Sequence, residues 1–151
     1  MTLTEYILKR NGVPLGNPNS LRNNLARSLG AKNFSTFWTY WNPIFGYYLG
    51  YYVFKPLRNY TPVGVALVIT FFFCGLFHDF VTLLFIRKTS FLFSIWFLLM
   101  AFGVLITRHL KQDYTNQPWI IRAFANLLIL GSSLFLAFYL KNSIGFEISL
   151  F

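Results

Sequence analysis

Three apolar runs constrain this chain most, because each is long enough to cross a lipid bilayer as a helix. They cover residues 62–86, 90–107 and 119–140. At about 1.5 Å per residue, the first run alone reaches about 37 Å and exceeds a hydrocarbon core of about 30 Å. Only 11% of the residues are charged, which is too few to give a soluble fold of this size a polar surface. The sequence therefore predicts an all-α, multi-pass integral membrane protein with three transmembrane helices, forming one domain over 1–151.

The region 1–36 carries the signals of two short amphipathic helices before the first apolar run. Thr2 and Glu5 have the spacing of a capping box, and Ser20 is placed to cap a second helix that stops at Gly30. Leucines four residues apart give the second helix an apolar face, with basic and polar residues opposite. Such a helix either lies in the headgroup layer or packs on the rest of its own protein.

Residues 37–57 form an unusual aromatic segment, FWTYWNPIFGYYLGYYVFKPL. Tyr and Trp favour the membrane interface, and Pro43, Gly46 and Gly50 interrupt a regular helix. Broken backbone is tolerated at membrane depth only where protein covers it. The composition therefore predicts a broken element that is interfacial or re-entrant.

The net charge of +9 comes from 13 cations set against 4 acidic residues. The placement of the cations along the chain tests whether residues 37–57 re-enter or form a fourth membrane span. If 37–57 spans, the 13 cations divide eight to five between the two sides; if it re-enters, they divide ten to three. Positive charge collects on the cytoplasmic side, so the more polarised division is favoured. We expect a cytoplasmic N-terminus and a C-terminus outside. The cations of the larger group are Lys9, Arg10, Arg22, Arg27, Lys32, Lys55, Arg58, Arg108, Lys111 and Arg122.

Two ionisable residues, His78 and Asp79, lie inside the first apolar run. An ionised Asp near the bilayer centre costs roughly 2.5–3.5 kcal/mol on insertion scales, so it usually faces protein or water. Thr70, Cys74, His78 and Thr82 recur every four residues and form one polar stripe, with Gly75 beside it for close approach of another backbone. Adjacent helical residues point about 100° apart, so Asp79 is not expected to orient the His78 ring directly.

The stripe admits three interpretations. His78 and Asp79 could hydrogen-bond to neighbouring helices and stabilise the bundle. Alternatively, His78 could act as a general base, since an unperturbed histidine titrates near neutral pH. A proton or ion relay along the stripe is less favoured, because one stripe does not make a pathway. His109, at the end of the second run, is expected to be an interfacial basic residue.

Two blocks of sequence, taken together, resemble the membrane-bound O-acyltransferase family. The first runs from Asn33 to Asn42 (NFSTFWTYWN) and continues over residues 51–57 (YYVFKPL). It is similar to the family pattern N-F-x-x-F-W, then W followed by His or Asn, then an aromatic stretch ending in P-L. The second block, Phe73 to His78 (FCGLFH), resembles the family's intramembrane F-x-x-G-x-W-H motif.

The resemblance implies acyl transfer from a thioester, such as acyl-CoA or an acyl carrier, to a hydroxyl group. The family histidine corresponds to His78 as general base, and the family's His-or-Asn position corresponds to Asn42, which would orient or polarise a reactant. Beside these catalytic candidates we assign substrate binding to Trp41 and to three residues of the helix: Cys74, Asp79 and Thr82.

The sequence departs from the family pattern in two residues and in length. Phe77 replaces the usual Trp before the histidine, and Asp79 replaces the usual Gly after it. Family members use several hundred residues to enclose a tunnel, whereas this sequence has 151. We therefore expect the tunnel to be completed by other membrane protein chains or by a second copy. A non-catalytic subunit of a larger membrane complex is the alternative function.

The sequence indicates no permanently bound cofactor and no nucleic-acid partner. Cys74 is the single cysteine, so neither a disulfide nor a cysteine-based zinc site forms within the chain, and two histidines 31 positions apart are no ligand pair on one helix. The cations are not gathered into one patch with base-stacking aromatics. The lipid bilayer is the expected environment.

Overall fold

The computed structural model describes residues 1–145 and 147–149 of the chain. Within them, three helices are long and apolar enough to cross a membrane, which confirms the predicted all-α multi-pass class. Two short strands also pair. The elements are α1 (Leu3–Asn11), α2 (Ser20–Leu29), α3 (Phe34–Tyr40), α4 (Pro43–Leu49), a π-helical turn (Gly50–Phe54), α5 (Lys55–Arg58), α6 (Val63–Ile86), β1 (Lys88–Thr89), α7 (Leu92–His109), α8 (Trp119–Ile144) and β2 (Ile148–Ser149).

The three long helices α6, α7 and α8 run up, down and up, with α7 packed between the other two. The observed starts agree with the predicted runs within two residues. The third helix extends to Ile144, four residues beyond the predicted end. Where Gly75 of α6 faces α7, a Cβ atom on Gly75 would lie 2.6 Å from the Cα of Ser94. The absence of a side chain at Gly75 therefore allows the two backbones to touch, as the sequence predicts.

Helix α2 docks on the N-terminal part of α8. Asn126, 2% exposed within α8, donates hydrogen bonds of 2.9 Å to the carbonyl oxygens of Leu29 and Ala31. These are carbonyls at the C-terminal end of α2, where no intrahelical donor is available. The indole N–H of Trp119 donates to the carbonyl of Ala26 at 2.9 Å. Helix α2 therefore packs on its own protein, while Leu21 in its first turn is 71% exposed.

The predicted capping box of α1 is present: Thr2 accepts the Glu5 N–H, and the Glu5 carboxylate accepts the Thr2 N–H. The predicted role of Ser20 is wrong. Asn19 holds the cap position of α2, and Ser20 is the first helical residue. The Ser20 hydroxyl instead accepts a hydrogen bond from Asn11 Nδ2 at 2.6 Å, because the turn between the helices brings the end of α1 against the start of α2.

The aromatic segment enters and leaves at one end of the bundle. At its start, Asn33 donates from Nδ2 to the carbonyl of Gln112, in the α7–α8 loop, at 3.1 Å. After its end, Gly64 in the first turn of α6 lies next to Leu105 near the end of α7. Between these points Phe45 reaches down to Phe77, with ring centroids 5.5 Å apart. The path is thus re-entrant with respect to the bundle, which is the geometry that the charge distribution favours.

An ion pair fixes the start of this segment to the α7–α8 loop. Lys32 Nζ lies 2.9 Å from Asp113 Oδ2. Hydrogen bonds from the Thr115 hydroxyl, together with the Lys32 ammonium, lower the pKa of Asp113 to about 2. Both side chains are close to half exposed, so the pair orients the loop more than it stabilises the fold.

Candidate acyl-transfer site

Three residues of the polar stripe of α6, Thr70, Cys74 and His78, face a cavity of about 230 Å³ between α6, α7 and the re-entrant segment. Four of the six predicted site residues line it together: Trp41, Asn42, Cys74 and His78. Thr70, on the same stripe, also lines it. The remaining lining is apolar or glycine, from Trp38, Phe45, Gly46, Leu49, Gly50, Phe54, Leu67, Phe71 and Phe97. The chamber therefore offers an apolar volume with a few polar groups on one wall.

The tautomer of His78 is set by its own helix. Nδ1 lies 2.8 Å from the carbonyl oxygen of Cys74, one turn earlier. A carbonyl cannot donate, so Nδ1 carries a proton and donates it; in the neutral imidazole this leaves Nε2 with its lone pair. Among the described residues, Nε2 has no hydrogen-bond partner. A neutral imidazole in this state can accept a proton at Nε2.

Aromatic rings hold the His78 imidazole on several sides. Phe97 and Phe93 of α7 lie with centroids 5.1 and 5.6 Å from it, and Phe45 of α4 meets it edge-on at 5.8 Å. Rings at these separations make favourable offset or edge-to-face contacts. They leave the imidazole little rotational freedom, so Nε2 keeps one direction.

Asn42 stands at the break between α3 and α4 in a left-handed conformation, with φ 40° and ψ 73°. Asn tolerates this region better than most residues because its short amide can hydrogen-bond locally. Its Oδ1 accepts the backbone N–H of Phe45 at 3.2 Å and so caps α4. The amide Nδ2 then remains as a donor at the cavity wall. Left-handed non-glycine residues of this kind cluster at functional sites.

Cys74 and Trp41 complete the polar wall and the rim. The Cys74 side chain is 5% exposed, and its Sγ lies 3.9 Å from His78 Nδ1. Trp41 stacks on Phe37 with centroids 5.4 Å apart and is 38% exposed. Cys74 is therefore inside the chamber, whereas Trp41 is at its open edge.

Asp79 and Thr82 lie elsewhere. They border a second, smaller cavity of about 150 Å³ at the opposite end of the bundle, with Lys88 and Glu147. The Asp79 carboxylate is turned toward α7, where it accepts four hydrogen bonds. The Thr82 hydroxyl donates to the carbonyl of His78. The structure thus separates these two residues from the other four candidates. All four hydrogen bonds of Asp79 come from residues other than His78, so Asp79 does not orient the His78 ring directly, as its place on the helix predicts.

The sequence reasoning missed the rings that surround His78. Phe45, Phe93 and Phe97 come from two other elements, and they are three of the 19 phenylalanines in the chain. No local pattern distinguishes them from residues that face lipid. Only the turn of the segment at Asn42 and the crossing of α6 with α7 bring them to the imidazole.

Comparisons with known proteins identify the family of the chain. The model of the membrane-bound O-acyltransferase family matches residues 18–141. The chain belongs to this family of membrane acyltransferases, and the resemblance in its two motif blocks is confirmed. Members of the family use donors of the acyl-CoA type.

One curated relative is diacylglycerol O-acyltransferase 1 from Corylus americana. The two are 32% identical over 92 residues, which is 58% of this chain and 16% of the relative. The match thus spans about a sixth of the length of that protein. No solved structure gives a significant match.

Proposed function

We propose that this chain carries the catalytic residues of an acyltransferase that moves an acyl group from a thioester donor, such as acyl-CoA, to a hydroxyl group. The observation that supports it is the state of His78: Nδ1 is occupied by the Cys74 carbonyl, and Nε2 is available beside an apolar cavity. Asn42 lines the same cavity and has an unused amide donor.

In the proposed reaction, His78 acts as general base and then as general acid. Nε2 takes the proton of the acceptor hydroxyl while the hydroxyl oxygen attacks the thioester carbonyl carbon and forms the new C–O bond. Charge develops on the carbonyl oxygen, toward which Asn42 Nδ2 would donate a hydrogen bond. When the tetrahedral intermediate collapses, the C–S bond breaks and the leaving thiolate receives the proton from the imidazolium. The products are an ester and a free thiol.

The cavity suits an acyl chain in chemistry but is small in size. Its lining is almost wholly apolar, and about 230 Å³ lies below the range of about 300–1,000 Å³ usual for ligand pockets. Trp41 and Asn42 are exposed at its open side. We infer that additional protein extends the chamber there.

The partner we propose is further membrane helices, from another chain, a second copy or additional sequence. The exposed face of the re-entrant segment carries Trp41, Asn42 and Tyr48, and Phe45 of the same segment meets His78 within the long apolar helix α6. Polar groups and broken backbone in hydrocarbon are unfavourable unless protein covers them. Covering this face would enlarge the cavity and exclude lipid from Asn42 in one step.

The second candidate function, a non-catalytic subunit of a membrane complex, is supported by the same exposed face. In that case the face serves assembly alone and the stripe on α6 serves packing. The two functions differ in what they require of His78, because acyl transfer needs Nε2 as a base and a packing subunit does not.

For orientation we propose that the end of the bundle holding the α7–α8 loop is cytoplasmic, together with the N-terminus, and that the end of α8 is outside. Ten of the 13 cations belong to the cytoplasmic set by this assignment. The acyl donor would then reach the cavity from the cytoplasm along the re-entrant segment.

The experiment that tests the proposal is purification of the chain in mild detergent, followed by assay in liposomes with labelled acyl-CoA and hydroxyl acceptors. The name of the relative makes diacylglycerol the first acceptor to try. Labelled ester and released thiol in equal amounts would support acyl transfer. A membrane chain that copurifies, without ester formation in any such complex, would support the packing subunit instead.

A further inference from the structure

The carboxylate of Asp79 caps the N-terminus of α7, although Asp79 belongs to α6. It accepts the backbone N–H groups of Phe93 and Ser94, at 3.2 and 2.7 Å. It also accepts the hydroxyls of Ser94 and Thr89, at 2.6 and 3.2 Å. Asp79 is 2% exposed, so the environment of this carboxylate is fixed by these four donors.

Helix α7 needs this cap because it has none of its own. Its cap position is held by Phe91, in a left-handed conformation and without a side-chain cap hydrogen bond. Phe93 and Ser94 are the second and third helical residues, whose N–H groups have no intrahelical acceptor. A carboxylate there satisfies both groups and interacts favourably with the positive end of the helix dipole.

The capped turn of α7 is the part that touches His78. Phe93, one of the two residues whose N–H Asp79 accepts, lies with its ring 5.6 Å from the imidazole. Phe97, one turn further on, lies at 5.1 Å. Gly75 and Asp79 are four residues apart and share the face of α6 that contacts α7, at the level of Phe93 and Ser94. Cys74 and His78 form the adjoining face, at the cavity.

We propose that Asp79 is a positioning residue for His78. By fixing the first turn of α7, it holds Phe93 and Phe97 against the imidazole and so maintains the direction of Nε2. The catalytic interpretation of this role rests on the proposed function, whereas the effect on the ring does not. The role also differs from the substrate contact that the sequence predicts for Asp79.

The test is the NMR signature of the His78 ring in the full chain in detergent micelles, with ring-¹⁵N histidine and a His109→Gln background that leaves one histidine. The parent should show a single tautomer protonated on Nδ1. Asp79→Asn places an NH₂ group among four donors, so we expect the His78 signals to shift and broaden toward a tautomer mixture. The matched control is Asp113→Asn, a loop carboxylate outside the bundle, which should leave the His78 signals unchanged.

An unchanged His78 signature in folded Asp79→Asn protein would overturn the proposal. If Asp79→Asn does not fold, Ser94→Ala decides, because it removes one hydroxyl donor and keeps both backbone donors. We expect a measurable shift of the His78 signals in that variant, and an unchanged spectrum would overturn the proposal equally.

A kinetic measurement separates this inference from the proposed function. In preparations that transfer acyl groups, Asp79→Asn should lower kcat about 10–100-fold, a loss typical of a displaced catalytic group, with little change in the donor KM. Equal losses for Asp79→Asn and the Asp113→Asn control would contradict a specific role. Absence of acyl transfer in the parent protein would contradict the proposed function and leave the NMR result for Asp79 standing.

Discussion

The Nδ1–H of His78 donates a hydrogen bond of 2.8 Å to the carbonyl oxygen of Cys74. This contact joins two residues of one stripe on α6 and leaves Nε2 available at the cavity. The acceptor in this contact is a backbone carbonyl. The neighbouring carboxylate of Asp79 accepts hydrogen bonds from α7 instead. The candidate base is therefore oriented directly by its own helix and by the packed rings, and the carboxylate of Asp79 acts only through the turn of α7 that carries Phe93.

Asn42 offers a way to separate capping from chemistry. Asn42→Asp keeps a side-chain acceptor for the Phe45 N–H and tolerates the left-handed backbone, but it loses the amide donor. We expect near-parental thermal stability and a loss of acyl transfer of about 10²–10³, the usual effect of removing one oxyanion donor.

The control for this prediction is Asn42→Gly, which keeps the backbone conformation and removes both the cap and the donor. It should lose activity to a similar extent and some stability as well. Full activity in Asn42→Asp would contradict the role given to Nδ2.

The contact between α6 and α7 at Gly75 can be tested by an alanine substitution, with Gly131 of α8 as the matched control. A Cβ atom on Gly75 meets the backbone of Ser94 and Phe93, whereas at Gly131 of α8 nothing lies within 4 Å. Replacement of a helical Gly by Ala otherwise favours the helix by about 0.5–1 kcal/mol. We expect Gly75→Ala to destabilise the protein by about 1–3 kcal/mol, as overpacking does, and Gly131→Ala to be neutral or stabilising. Thermal unfolding in detergent measures both, and equal midpoints would contradict the close contact.

The re-entrant path predicts which loops share one side of the membrane. In a Cys74→Ala background, a cysteine at Leu15, which is exposed before α2, should be labelled by an impermeant thiol reagent from the same side as a cysteine at Asn59. A cysteine at Lys88 should be labelled from the opposite side. Labelling of the Leu15 and Asn59 positions from opposite sides would mean that residues 37–57 cross the membrane.

The ion pair of Lys32 with Asp113 predicts a dependence on acidic pH. The pKa of Asp113 is lowered from 3.8 to about 2 in the folded chain. Its stabilising contribution is therefore complete above about pH 3.8 and is lost as the pH falls through about 2. We expect a small effect, since both side chains are half exposed. Unfolding midpoints of parent and Asp113→Asn protein should differ at pH 5 and converge near pH 2, and a difference that grows on acidification would contradict this assignment.

Much of the fold follows from sequence because it depends on local patterns. The apolar runs predict α6, α7 and α8, and Thr2 with Glu5 predicts the start of α1. The stripe through Cys74 and His78 and the small residue Gly75 also lie on one helix, where spacing alone places them. The motif blocks predict that Asn42 and His78 belong to one site.

What the sequence could not predict depends on where one element meets another. The sequence predicts substrate binding for Asp79. In the structure its partners include the backbone N–H groups of Phe93 and Ser94, which become its neighbours only when α6 and α7 cross. Asn126 was not singled out, since its partners are carbonyls at the end of α2. Long-range contacts of this kind leave no periodic signal along the chain.

The most direct test of the central claim compares His78→Ala with His109→Ala in the acyl-transfer assay. His78 lines the cavity, whereas His109 is exposed at the end of α7. We expect His78→Ala protein to insert, to assemble with any copurified chain and to lose ester formation by at least about 10²-fold, while His109→Ala protein retains parental activity. Ester formation by His78→Ala at the parental rate would contradict the account.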